Sequence, residues 1–152
     1  LAFCFIAAPA AAQTGLTGAD EVFAALDAKD HSRARSLAEP LAARGDARAS
    51  FALGRIYERG LGVRPDIGMA LEHYSAAAIA GNADAQLALG RIAYEGGGVY
   101  PDYERAAGWF RLASVQGDPR ADVALGRMLA DGRGVRRNAV APLEHFAKAP
   151  AK

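Results

Sequence analysis

The chain of 152 residues is short of cysteine, of aromatic side chains and of net charge. Cys4 is the only cysteine, so no internal disulfide framework can form. Aromatic residues make up 8% of the chain although 51% of it is hydrophobic, and alanine carries much of the difference. Layers of such a chain must pack closely on small side chains. Lys and Arg number 18 against 17 Asp and Glu, a net charge of +1. That balance provides no general attraction to nucleic acid or to an anionic membrane. Long apolar runs are also missing, because the apolar run that opens the chain ends at Ala12, short of the ~20 apolar residues that span a bilayer.

That opening stretch, "LAFCFIAAPAAAQTG", carries no charge, and the first charged residue is Asp20. Residues 1–12 read as the remnant of a secretory signal peptide, with small residues before a cut at Ala12 or Ala10. Export, into a bacterial periplasm, is the expectation, with membrane association only through an uncleaved leader. A buried first helix is the alternative. Cys4 as a lipid-attachment site is disfavoured by Phe3 before it.

What the chain has in quantity is repetition. "LGRIYERGLGVRPD" from Leu53, "LGRIAYEGGGVYPD" from Leu89 and "LGRMLADGRGVRRN" from Leu125 are spaced by 36 residues. Gly54, Gly90 and Gly126 share that step, as do Gly60, Gly96 and Gly132, then Gly62, Gly98 and Gly134, and Val63, Val99 and Val135. So many coincident columns mark an array. Each unit predicts two helices. The first run over about 46–58, 82–95 and 118–130, and the second over about 67–80, 103–116 and 139–148, on apolar spacing such as Ala49, Leu53, Ile56. Between them, Gly60, Gly96 and Gly132 stop a helix, and Pro65 and Pro101 block its propagation. Asp66, Asp102 and Asn138 cap the next helix, and the valines plug the space under the loop. Asp118 with Pro119 starts a helix in the same way. Tyr74, Phe110 and Phe146 supply one aromatic per second helix among small alanines. Pro142 in the last copy predicts a late or kinked helix.

Upstream, 17–28 and 31–43 predict a shorter pair with Thr17 as a helix cap and a kink at Pro40 inside its second helix; without a glycine loop, the pair reads as a degenerate cap. The organisation expected is a leader remnant at 1–12, a capping pair at 17–44, and repeats at 45–80, 81–116 and 117–149.

The pattern "A..S..LG..Y..G.GV..D...AL.HY..AA..G" from Ala47 to Gly81, echoed by "AAGWFRLASVQG" from Ala106, resembles the Sel-1-like repeat, a relative of the tetratricopeptide repeat. The resemblance covers Gly45 to Ala149. It departs at Ala93 and Leu129, which stand in the column of Tyr57, and at His73 and His145, which stand in the column of Trp109. It implies an all-α, right-handed solenoid of helix-turn-helix repeats with a 36-residue period, a tetratricopeptide-like superhelix used for protein–protein contact, often in exported bacterial adaptors.

Catalytic patterns are missing. None of Ser32, Ser36, Ser50, Ser75 and Ser114 lies in a Gly-x-Ser-x-Gly turn or precedes a lysine by three, and no His-Glu-x-x-His occurs. His73 and His145 stand two repeats apart, roughly 30 Å across stacked helices, too far to share a metal. No enzymatic activity, metal or cofactor is expected. The loop glycines lack the following Lys-Ser or Lys-Thr of a phosphate cradle.

If the first helices line a concave face, one column pointing inward is Arg55, Arg91 and Arg127, and its neighbour is Phe51, Leu87 and Val123, with Tyr94 beside them. An arginine ladder next to an apolar stripe suits an extended partner segment carrying carboxylates and apolar side chains. The alternative is a solvated face in which Arg48 or Arg120 answers Asp84. Arg133, Arg136 and Arg137 read as a solvated loop tip. The function expected is a non-catalytic envelope adaptor that holds a protein partner in its groove. The alternative is an envelope glycan binder using Tyr94, Tyr100 and Tyr103 as platforms for peptidoglycan or an acidic polysaccharide.

Overall fold

The computed structural model describes residues 18–97 and 100–134. The leader remnant with Cys4, the Thr17 cap, Gly98, Val99 and Val135, the loop arginines Arg136 and Arg137, the Asn138 cap, and the helix expected over 139–148 with Pro142, His145 and Phe146 lie outside those residues.

Among the described residues there are seven α-helices and no strand: α1 Gly18–Asp27, α2 His31–Ala43, α3 Ala47–Arg59, α4 Ile67–Ile79, α5 Ala83–Glu95, α6 Tyr103–Val115 and α7 Pro119–Asp131. They build the all-helical repeat solenoid that the 36-residue ruler predicts. Local chemistry starts α2 to α7. Six helices open on a capping side chain that accepts from a backbone N–H of the first turn: Asp30, Asp46, Asp66, Asn82, Asp102 and Asp118. Three first helices close on a left-handed glycine, with φ of 66° at Gly60, 96° at Gly96 and 67° at Gly132. α2 runs through Pro40 to Ala43 without a break.

Two further glycine columns explain why the loop is copied. Gly54 and Gly90 stand in mid-helix, and a Cβ there would come within 2.5 Å of Tyr74 Cε1 and of Phe110 Cε1 respectively. The missing side chain is the seat of the aromatic from the second helix of the same repeat. The later loop glycines act between repeats. A Cβ on Gly62 would lie 3.0 Å from His31 Cβ, and one on Gly134 would lie 2.7 Å from Tyr103 Cβ and closer still to the Tyr103 carbonyl. His31 and Tyr103 open α2 and α6, so each loop folds down on the first residue of the preceding repeat's second helix. The α1–α2 pair receives its loop as a repeat would.

Three apolar clusters follow. The first joins α1, α2 and α3 and includes Val63 at its margin, the second joins α4 and α5 around Tyr74, and the third joins α6 and α7 around Phe110.

Candidate partner-binding groove

The first helices line one open groove of about 770 Å³. Phe23 comes from α1; Arg48, Phe51, Arg55, Glu58 and Arg59 from α3; Asp84, Leu87, Ala88 and Arg91 from α5; Arg120 and Ala124 from α7. Tyr74 and Phe110 reach the floor from the second helices, through the gaps that Gly54 and Gly90 leave. A smaller cavity of about 320 Å³ continues the surface along Arg91, Tyr94, Glu95, Phe110, Ala124, Arg127 and Met128.

Of the residues expected there, Phe51, Arg55, Leu87 and Arg91 line the groove, and Arg91, Tyr94 and Arg127 line the adjoining cavity. Val123 is half-buried on α7 and belongs to neither lining. The sequence columns did not single out Phe23, and they placed Tyr74 and Phe110 among the packing residues of the second helices rather than in the groove. The glycines facing the last two are the signal that would have found them.

The arginine column is chemically divided. Arg91 is bound on both sides, by Glu58 and, at 2.9 Å, by Glu95. Glu58 also accepts from the Tyr74 hydroxyl at 2.6 Å. Burial pushes the Glu58 carboxyl upward, but the hydrogen bonds from Tyr74 and Arg91 and the Arg91 charge outweigh it and hold the group below its ordinary value. The Tyr74 hydroxyl is driven well above its usual range by burial and by Glu58. Arg55 lies over the Phe51 ring with its guanidinium carbon 6.0 Å from the centroid. Among the described residues neither Arg55, Arg59 nor Arg127 pairs with a carboxylate, whereas Arg48 pairs with Asp20 at 2.8 Å and Arg120 with Asp84 at 2.6 Å and Asp118 at 2.7 Å. The expected answer to Asp84 therefore comes from Arg120, and Arg48 turns instead to α1, where its guanidinium also covers Phe23 at 5.3 Å. Hydrogen bonding from Arg120 keeps Asp118 below its ordinary value.

Arg133 is exposed but is not a free loop tip. It donates to the Tyr94 hydroxyl at 2.8 Å and lies 5.7 Å and 5.4 Å from the Tyr94 and Tyr103 ring centroids. Those two rings meet edge to face at 5.3 Å. The reason is the seat of Gly134 on Tyr103, which carries its neighbour onto the same pair. Of the tyrosines considered as sugar platforms, Tyr100 alone is open, at 94% exposure. His73 is half-buried and stacks on Tyr57 at 5.5 Å and 9°. Among the described residues no group of three or more His, Cys, Asp or Glu could hold a metal ion, and no helix is long and apolar enough to cross a membrane.

Comparison with known proteins agrees with the helical-repeat fold. The model of the Sel1 repeat matches residues 47–82, 83–118 and 119–149. A Sel1 repeat protein from Oxalobacter formigenes superposes with a TM-score of 0.81 at 27% identity, over 86% of this chain and 54% of its own. A protective antigen present in uropathogenic Escherichia coli strains, displaying an SLR fold, superposes with a TM-score of 0.75 at 34% identity, over 78% of this chain and 26% of its own. The chain thus spans about half the length of one relative and a quarter of the other. No curated protein matches.

Proposed function

The chain belongs to the Sel1 repeat family, and from that premise we propose that it is an exported, non-catalytic adaptor that holds a segment of a protein partner in the groove of its first helices. Sel1 repeats generally mediate protein–protein interaction and form scaffolds rather than catalytic sites. The observation that carries the finer reading is the composition of the groove. Five arginines line it, three of them (Arg48, Arg91 and Arg120) already paired with carboxylates and Arg55 in no salt bridge among the described residues, over an aromatic floor of Phe23, Phe51, Tyr74 and Phe110. Arginine forks take carboxylates in two-point contacts, and aromatic rings take apolar side chains, so an acidic and apolar segment meets both kinds of group. Export rests on the apolar, small-residue opening of the chain. The two similar chains are bacterial, and one is a protective antigen, which accords with that placement. A glycan reading is weaker, because Tyr94 and Tyr103 are occupied by Arg133.

The test places a photo-crosslinking side chain at Leu87, in the groove, and separately at Ile79, which is 81% exposed and outside the groove lining. The expected result in an envelope extract is a protein adduct from position 87 that disappears when Arg55 and Arg127 become Ala in a chain that circular dichroism shows folded. Adducts at both positions alike, or an adduct indifferent to the arginines, would refute the groove.

A further inference from the structure

The groove offers its cations unequally, and the inequality dictates what pattern of charge it accepts. Arg91 stands at the centre, on α5, with its guanidinium already shared between Glu58 and Glu95. Of the two carboxylates Glu58 lines the groove and Glu95 the adjoining cavity, so the middle of the groove presents the Glu58 carboxylate and no unshared guanidinium although an arginine lines it. Glu58 is held there from below by the buried Tyr74, only 1% exposed, whose hydroxyl reaches it past Gly54. Its place is therefore set by the core and not by a freely swinging surface side chain. Two cations are open: Arg55 on α3, in the groove, and Arg127 on α7, in the adjoining cavity, form no salt bridge among the described residues, whereas the charge of Arg59 acts on Glu58 itself.

Resting on the groove reading above, we propose that Glu58 is a specificity-determining residue. It bars carboxylates from the centre of the groove, so the partner segment carries acidic side chains at two separated places, one at Arg55 and one at Arg127, with a non-acidic stretch between them. The physical reason is discrimination by repulsion. Two open arginines alone would accept any acidic segment, whereas a fixed carboxylate between them rejects a continuously acidic one. Arg91 is on this account a positioning residue, which holds Glu58 in register between α3 and α5 and does not grip the partner.

A library of random 12-residue peptides displayed on phage, selected on the full chain, tests this. The wild-type pool is expected to contain two acidic blocks separated by a non-acidic stretch. Arg55→Ala should erase one block and Arg127→Ala the other. Glu58→Gln, which keeps an acceptor for Tyr74 and removes the charge, should admit carboxylates into the middle. Synthetic peptides acidic throughout should then bind that variant about tenfold more tightly than the wild type. Carboxylates in the middle of the wild-type pool, or a Glu58→Gln pool identical to it, would overturn the role of Glu58 while leaving the groove standing. The first of these needs no variant to fold. Enriched peptides indifferent to both Arg55→Ala and Arg127→Ala would overturn the groove itself.

Discussion

Substituting alanine for glycine in the middle of a helix ordinarily stabilises a protein by about 0.5–1 kcal/mol, because glycine loses more backbone freedom on folding. At Gly54 the sign should reverse. A Cβ there would stand 2.5 Å from Tyr74 Cε1 and 2.9 Å from its Cγ, and that ring is buried. Forcing an extra carbon into a packed core costs about 1–3 kcal/mol. A displaced ring also loses its 2.6 Å hydrogen bond to Glu58, and a bond to a charged group is worth roughly 1.5–3 kcal/mol. After the helix gain is offset, Gly54→Ala should destabilise by about 1.5–5.5 kcal/mol. With a urea slope of about 2 kcal/mol per molar, the midpoint followed by circular dichroism at 222 nm should fall by about 1–3 M. Gly108→Ala is the internal control. That glycine is also in mid-helix, in α6, but a Cβ would meet nothing within 4 Å, so its midpoint should rise by a few tenths molar. In a Tyr74→Leu background the Gly54→Ala penalty should shrink or vanish, since the two changes share one space. A parallel shift of Gly54→Ala and Gly108→Ala in the same direction would refute the idea that Gly54 is a seat for Tyr74.

At the third loop, Gly134→Ala should cost clearly more than Gly132→Ala in the same melts. Both residues have a left-handed backbone, with φ of 66° and 67°, but only Gly134 is pressed on Tyr103. Asp66→Ala removes the acceptor for the Met69 N–H at 3.0 Å and should lower stability by about 1 kcal/mol, read from the same urea midpoint. Burial holds His73 below its ordinary value of 6.5, so the unfolded chain binds that proton first. Stability should therefore fall as pH drops from above 6.5 toward the lowered native value and then level off, and His73→Gln should remove that step. Glu58 has the opposite chemistry with the same consequence at lower pH. Its native value lies below its ordinary 4.5, so its contribution is complete above that value and is lost as pH falls through the native one. Glu58→Gln should shrink that acid loss in melts between pH 5 and 3.

What the sequence made readable was whatever each repeat settles within itself. Helix starts at Asp66 and Asp102, stops at Gly60 and Gly96, and the aromatic column of Tyr74 and Phe110 all depend on neighbours at fixed short offsets, which a 36-residue ruler exposes. The division of the arginine column was not readable for the complementary reason. Glu58, Tyr94 and Ala130 share one column but no chemistry, and Glu58 and Tyr94 are answered from different elements. Glu58 meets Arg91, 33 residues on, and Tyr94 meets Arg133, 39 residues on, so neither pairing lies on the ruler. A column treats repeats as equivalent, whereas side-chain pairing uses the ways in which they differ.

The buried polar column of Ser50, Gln86 and Asp122 carries that difference into the joints between repeats. All three lie on the ruler and are nearly inaccessible, with 4%, 4% and 2% exposure. Ser50 bonds within its own helix, to the Asp46 carbonyl at 3.0 Å. Gln86 donates to the carbonyl of Ala78 at 3.2 Å, across the joint between α4 and α5, and accepts from Gln116 at 2.8 Å, at the end of α6. Asp122 accepts from the Ser114 hydroxyl across the joint between α6 and α7. Apolar packing alone is tolerant of small slides between helices, but a buried amide or carboxylate is satisfied in one register only. The joints that set the angle of α5 and α7, and with it the separation of Arg55 from Arg127 across the groove, are thus pinned by polar groups. Gln86→Leu keeps the volume and removes the pin. It should therefore disturb the spacing of the two acidic blocks selected by the groove more than it disturbs the urea midpoint, and a change in midpoint with unchanged block spacing would refute that role for the column.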